Sequence, residues 1–457
     1  MKEILDNLKS GKQEILTGSS KIYSKNKNNY FDKNKYFLEN MHLNKAYLSY
    51  IENNSIEDVD NEILYKFKRR FLNYRNSWSE QPKMFFSNGI EKFDEQIKFS
   101  NPMCVDIEIA SICDLGCPHC FREYIITPDK IMNEKLFYSL VDEISEMKIP
   151  SIKLNWRGEP LLHPKLSEFI SYAKNKSILD VSINTNATTL DEKKSRLLIN
   201  SGLDQIIYSF DGGVKSTYEK MRPGRFKTNS FEKVYENIKL FNKIRTELNS
   251  KFPITKIQMV MTQETRNEVD EFYKLFGDIV DDVTVTQYNE RGGNLEDLDS
   301  LNKEKLENYF KKEKLPHNTS YIVGLEGDTY ISEGRKPCEQ LFQRLMVTYD
   351  GSVGMCCHDW GAQHSIGYVS NEAFENDKIT NDLEKKIKNN EKGFSLLKNA
   401  KKPKKYNSPE KKISKLKDIW TGSELYSVRK KHFEKKINDV DVCKNCSFKD
   451  TYAWKKI

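Results

Sequence analysis

The alternation of apolar and polar positions changes character part-way along the chain. From about residue 104, short apolar runs of strand length recur at Cys104–Ile109, Ile152–Trp156, Asp180–Asn184, Gln205–Phe210, Lys256–Met261 and Asp282–Gln287. Amphipathic stretches of helical period lie between them, near Asn133–Lys148, Lys165–Asn175, Asp191–Ser201, Ser230–Leu248 and Glu264–Phe276. Strand and helix in strict alternation predict βα units around a parallel sheet. Six units in place of eight predict an open, partial (β/α)6 barrel, so the fold class is α/β over residues 101–295. Residues 1–100 read as a helical extension, with Ile63, Leu64, Phe67, Phe71 and Leu72 at helical spacing. Past Gly293 the pattern predicts a helical linker over 296–335 and a second domain over 336–457. Within that domain the Lys- and Asn-rich stretch 370–418 reads as a solvated insertion of helix and loop.

Composition narrows the setting. No apolar run approaches the ~20 residues that span a bilayer, and the opening MKEILDNLKSGKQE has alternating charge where a secretory signal has an apolar block. These features predict a cytoplasmic protein with no membrane partner. The net charge of +7 suits an anionic substrate but does not argue for nucleic acid. Nine cysteines, clustered and in a reducing compartment, point to metal more than to disulfides.

The unusual residues collect at or just past strand C-terminal ends: SICDLGCPHC, WRGEP, NTN, SFDGG and QYNERGG. In a parallel barrel those ends form one rim, so five motifs distant in sequence converge on one site. Cys113, Cys117 and Cys120 form C-x3-C-x2-C after the first strand, where Gly116 and Pro118 permit a tight wrap. Three thiolates on one short loop suit three corners of a 4Fe-4S cube, leaving one iron open for another ligand. The bland alternative is zinc with His119 or His163 as fourth ligand.

With this triad the chain resembles the radical S-adenosylmethionine (SAM) superfamily over about residues 101–290. The resemblance implies that S-adenosylmethionine chelates the open iron and is cleaved to a 5′-deoxyadenosyl radical that abstracts hydrogen from a substrate. It also implies a protein reductant such as flavodoxin or ferredoxin. Arg157-Gly158-Glu159-Pro160 stands where the family has Gly-Gly-Glu-Pro, with Glu159 expected to accept from the cofactor's amino group and Arg157 in place of the usual first glycine. Asn184 and Asn186 match ribose-binding positions, Ser209 and Asp211 lie near ribose or carboxylate, and Arg222 matches the arginine that pairs with the cofactor carboxylate. His119 stands where relatives place an aromatic against the adenine.

Cys338, Gly351 and Cys356 form C-x12-G-x4-C, followed by Cys443-x2-Cys446. The pattern resembles the twitch domain, the short relative of the SPASM domain, and implies one auxiliary 4Fe-4S cluster; structural zinc is the alternative. Cys104 reads as a buried small hydrophobe, and Cys357 as a bystander, a swapped ligand or a hydrogen donor. The resemblance implies oxidation of a sugar or cyclitol alcohol, with the auxiliary cluster taking the electron and a base among Asp359, His358, Glu290 and Tyr288. Peptide maturation, epimerisation through Cys357, and a non-enzymatic zinc adaptor are the alternatives.

Overall fold

The computed structural model describes residues 21–22, 31–288, 307–308, 311–314, 321–323, 329–444, 446, 448 and 452–457. Six strands, β2 (Cys104–Ile107), β3 (Ser151–Lys153), β4 (Asp180–Thr185), β5 (Gln205–Ser209), β6 (Ile254–Met261) and β7 (Asp282–Gln287), pair in parallel in sequence order. Each matches one of the six expected runs. The two-residue β1 (Lys21–Ile22) pairs antiparallel with β7.

Strand side chains point alternately to the two faces of a sheet. Along β6, Ile257, Met259 and Met261 are buried in the main core, whereas Gln258 and Val260 line an interior cavity. In β4, Val181 and Ile183 enter the core and Asn184 faces the cavity, which Thr185 at the end of the strand also lines. The apolar positions share this core with the surrounding helices Glu134–Glu146 and Leu166–Asn175, which also pack on each other, Phe169 stacking 3.9 Å from Phe137. One seven-residue helix, Lys215–Met221, is absent from the periodicity reading because it is shorter than two full turns.

The N-terminal extension is helical in its described part: Lys33–Glu39, Lys45–Asn53 and Asn61–Phe99, the last interrupted at Gly89 (φ 71°). Its Phe37, Met41, Tyr47, Phe67 and Phe71 form one core with Met103, Leu179, Phe252 and Ile254. Those four lie at or beside the strand N-terminal ends, so the extension closes the barrel opposite the motif-bearing rim. Polar contacts fix the closure. Lys33 Nζ donates to Asp180 at 2.9 Å, and Asn44 Nδ2 to Asp204 at 2.6 Å. Asp204 also pairs with the fully buried Lys174 at 2.6 Å and accepts from Val181 N at 2.7 Å.

The second region does not stand apart. β10 (Arg344–Val347) pairs in parallel with β2 and turns through Gly351 (φ 88°) into β11 (Ser352–Gly354), which pairs with β12 (Ser365–Tyr368). The ten-stranded sheet therefore runs from the barrel into the second cysteine region. Two expectations need correction. Among the described residues the 296–335 linker is helical at 307–308 and 311–312, but its end is not: β8 (Tyr321–Val323) pairs with β9 (Thr329–Arg335), and β9 with β13 (Tyr452–Lys456), in a separate three-stranded sheet. The 370–418 insertion is not merely solvated either. Leu383, Ile387, Phe394, Leu397 and Ala400 form a small core with Ile126, just beyond the cysteine triad. Few apolar residues in a Lys-rich stretch suffice because the partner surface comes from a distant loop.

Removing Lys174 leaves the Asp204 carboxylate buried without its cation. Lys174→Met is expected to cost ~3–5 kcal/mol, seen as a lower midpoint in urea unfolding. A midpoint matching the parent would show that the extension, not this pair, holds the closed end.

Candidate functional site

The rim motifs and the second cysteine region enclose one cavity of about 1080 Å³. Cys113, Cys117, His119 and Cys120 line it from the triad loop, and Cys357, His358 and Trp360 from the region after β11.

The triad loop is held by charge as well as by packing. Arg225 donates to the Cys113 carbonyl at 2.8 Å and forks onto Asp129 at 3.0 and 2.9 Å, and Arg122 joins Asp129 at 2.6 Å. Asn186 Nδ2 donates to Asp114 at 2.8 Å and Thr188 Oγ1 to the same carboxylate at 2.5 Å. Gly158 lies so close to this loop that a Cβ there would sit 2.3 Å from the Ala110 carbonyl and 2.5 Å from that of Ile112. Burial pushes the Cys113 thiol up to about 12 and raises Cys117 and Cys120 as well, as expected of thiols whose charged form needs a metal.

Glu159 caps the turn after β3. It accepts from Leu161 N at 3.0 Å, Asn186 N at 2.7 Å and Thr185 Oγ1 at 2.6 Å. Burial, and then the charge of Asp114, push its carboxyl up to about 7. Arg157 explains its own departure from glycine: it forks onto the buried Glu108 at 2.7 and 2.7 Å and stacks over Trp156. Glu108 also accepts from Tyr349 N at 3.3 Å, joining the end of β2 to the β10–β11 turn.

The structure adds partners to several residues named from the sequence. Arg222 lines the cavity, and its guanidinium pairs with Asp211 at 2.6 and 2.9 Å. Asp211 is fully buried and does not line the cavity; it also accepts from Val260 N and faces His119 Nε2 at 3.1 Å. Burial alone would raise its carboxyl, but Arg222 and His119 hold it well below the usual range. Asn186 lines the cavity too, its amide nitrogen donating to Asp114 of the triad loop. Asn184 and Ser209 line the cavity as expected.

Among the described residues, Asn184 Oδ1 and His119 Nδ1 are buried without a hydrogen-bond partner. Such orphaned polar atoms are costly unless a ligand meets them. Beside three converging thiols, they make this end of the cavity a fit for a 4Fe-4S cluster and S-adenosylmethionine.

The second cysteine set converges too. Cys338, Cys356, Cys443 and Cys446 lie close enough to feel one another's charge: Cys446 acts on Cys338, Cys338 on Cys443, and both Cys338 and Cys446 on Cys356. Burial pushes the Cys338 thiol up to about 12. Backbone N–H groups aim at the sulfurs, His358 N at Cys356 Sγ (3.3 Å) and Phe448 N at Cys446 Sγ (3.4 Å), which is the hydrogen bonding that tunes iron–sulfur sites. Four thiols and N–H donors fit a closed second cluster.

Of the base candidates, Tyr288 and His358 line the cavity, the latter with its ring 4.4 Å from Phe448. Asp359 does not: its two oxygens accept from Gln363 N (2.9 Å) and His364 N (2.8 Å), so it builds a turn. Glu290 lies outside the described residues. Cys357 lines the cavity, its carbonyl accepting from Trp156 Nε1 at 2.8 Å. Cys104 is buried in β2 as expected. Sequence reasoning missed Asp106, Lys153 and Asn155, which line the cavity with polar groups; the signal was Asp106 within the apolar run Cys104–Ile109 and the alternate polar residues Lys153 and Asn155 within Ile152–Trp156.

Residues 107–276 match the family model described as Radical SAM superfamily, and 338–403 match SPASM, described as an iron-sulfur cluster-binding domain. The two domains bring with them a 4Fe-4S cluster, an auxiliary cluster and S-adenosylmethionine. The chain is 26% identical over 168 residues to a tungsten-containing aldehyde ferredoxin oxidoreductase cofactor-modifying protein of Pyrococcus furiosus, covering 36% of this chain and 45% of that one. It is 28% identical over 185 residues to a cysteine-type anaerobic sulfatase-maturating enzyme of Clostridium novyi, covering 36% and 46%. The matches thus span less than half the length of these relatives. Among solved structures, Streptococcus suis SuiB bound to precursor peptide SuiA superposes with TM-score 0.45 at 14% identity, over 86% of this chain and 79% of that one.

Gly158→Ala is expected to push the triad loop off its position and lower iron at that site, with Gly334→Ala as control because a Cβ there meets nothing within 4 Å. Iron and sulfide analysis after anaerobic reconstitution reads both; equal iron in the two variants would contradict the close approach described.

Proposed function

Because the chain carries a radical SAM domain followed by a SPASM iron–sulfur domain, we propose that it oxidises a polypeptide side chain by radical hydrogen abstraction inside the shared cavity. The observation that carries this reading is that one cavity is lined both by the triad cysteines and by the residues beside Cys356. A 4Fe-4S cluster with S-adenosylmethionine supplies the 5′-deoxyadenosyl radical there, and a second cluster supplies an electron acceptor.

The chain's own residues then have definable tasks. Glu159, held by three donors, presents a fixed carboxylate edge for an amino group, and Asn184 offers its free amide oxygen. Trp156, Phe121 and Trp360 form an aromatic wall, with Trp360 ring centroids 5.9 Å from Phe121 and 6.2 Å from Trp156. Such a wall excludes water and holds an extended side chain. Tyr288 and His358 are the groups placed to take the proton that leaves with substrate oxidation. The likeness to a sulfatase-maturating enzyme, which acts on another protein, supports a polypeptide over the sugar alcohol expected from the sequence. The polar floor of Asp106, Lys153, Asn155 and Gln258 favours a small polyhydroxylated alcohol as second reading.

The test is anaerobic incubation with S-adenosylmethionine, dithionite and either a peptide library or inositol. The reading expects a peptide product lacking a pair of hydrogens, formed with 5′-deoxyadenosine, and retained in Cys357→Ala. Turnover of inositol alone would establish the second reading. A peptide of unchanged mass that takes deuterium from D2O at one carbon, lost in Cys357→Ala, would establish epimerisation.

A further inference from the structure

Between residues 398 and 415 the chain carries eight lysines, all exposed, against a single carboxylate, Glu410. With a net charge of +7 for the whole chain, this ribbon concentrates the positive excess in one place. Tyr406 and Ile413 stand exposed among the lysines, at 39% and 43%.

The ribbon grows directly out of the segment that braces the cysteine triad. Leu396 lies against Gly116, where an added Cβ would come 2.6 Å from its Cδ1. Arg225, which holds the Cys113 carbonyl, donates through Nε to the Gly393 carbonyl at 2.9 Å. Lys401 bonds in both directions to the chain just past Cys120, its N–H to the Tyr124 carbonyl at 2.8 Å and its carbonyl to Ile126 N at 2.9 Å. Its side chain, like its neighbours', points to solvent.

We propose that this ribbon is the docking surface for an acidic protein that delivers single electrons to the cluster held by Cys113, Cys117 and Cys120. The inference rests on the reading above that the triad holds a redox-active cluster. One electron leaves the reduced donor and enters that cluster; no bond forms or breaks and no proton moves. Clustered charge of one sign steers an oppositely charged partner and raises its encounter rate ~10–10³-fold, an effect that salt suppresses. Electron transfer demands closeness, and the ribbon is bonded at Lys401 to the chain just past Cys120, from which it runs to backbone bonds with Gln363 and Tyr368 at β12. Exposed Tyr and Ile amid the charges supply the apolar contacts that a protein interface needs.

The test uses the full-length reconstituted enzyme without S-adenosylmethionine, an acidic flavodoxin reduced to its hydroquinone, and the triple variant Lys404→Glu/Lys411→Glu/Lys412→Glu. Those side chains take no part in bracing the triad loop, and iron content with far-UV circular dichroism verifies folding; the corresponding triple Ala variant serves if the reversal misfolds. The expected result is flavodoxin affinity weakened by about tenfold or more at low salt, by calorimetry, with cluster reduction by flavodoxin slowed and reduction by dithionite unchanged. Flavodoxin binding and reduction identical to the parent would overturn the docking surface. So would a ribbon whose charge reversal abolishes binding of single-stranded RNA while leaving flavodoxin untouched. A parent whose iron is not reduced even by dithionite would instead overturn the cluster reading, independently of the affinity measured for flavodoxin.

Discussion

The parallel pairing of β10 with β2 fixes the geometry of everything else. Arg344 aligns with Cys104 and Val347 with Ile107, so the second cysteine region begins as the next strand of the barrel sheet. Two further contacts lock the register: Arg344 reaches Asp106 at 2.9 Å, and the backbone of Glu108 donates to the Val347 carbonyl at 2.8 Å. Backbone hydrogen bonds allow little slippage when both faces of a strand are buried. β11 runs back antiparallel from the turn after β10, so Cys356 and Cys357 follow it beside Arg344, and Cys357 meets from that side the cavity that the triad loop lines from the rim beyond β2. A flexible tether between two cluster domains would give no such convergence.

Among the described residues, three buried or half-buried charges at this site have close partners. Glu108 with Arg157, Asp106 with Arg344 and Asp211 with Arg222 are close pairs at or beside the cavity. Breaking any one of them would strand a buried charge, which makes them rigid supports. Their function is to hold loops: Arg157 ties the turn after β3 to β2, and Arg222 ties the segment after Lys215–Met221 to the end of β5. Among the described residues, the orphaned atoms of Asn184 and His119 are then left beside the triad with unspent bonding capacity. The site is preorganised around positions that only a bound cofactor would complete.

Much of this was legible in the sequence, for a physical reason. Strand and helix periodicity reports burial directly, so the six barrel strands and their rim motifs could be read from apolar spacing. Cysteine spacing reports loop length, so both ligand sets were visible as well. What escaped was non-local. The β10–β2 pairing joins residues some 240 positions apart, and nothing in Arg344–Val347 announces its partner. The pairing of Arg222 with Asp211 was equally hidden, as was the turn that the Asp359 oxygens cap. The Lys-rich insertion was misread because its apolar contacts are few and lie with Ile126, far away in the chain. Glu290 falls outside the described residues.

The central claim is that two separate cysteine sets each hold a four-iron cluster against one cavity. Iron and acid-labile sulfide per chain after anaerobic reconstitution test it directly, compared with Cys113/Cys117/Cys120→Ala and with Cys338/Cys356/Cys443/Cys446→Ala. The account predicts about eight irons in the parent and about four in each variant. About four irons in the parent, with zinc retained by the second cysteine set, would contradict it and remove the internal electron acceptor.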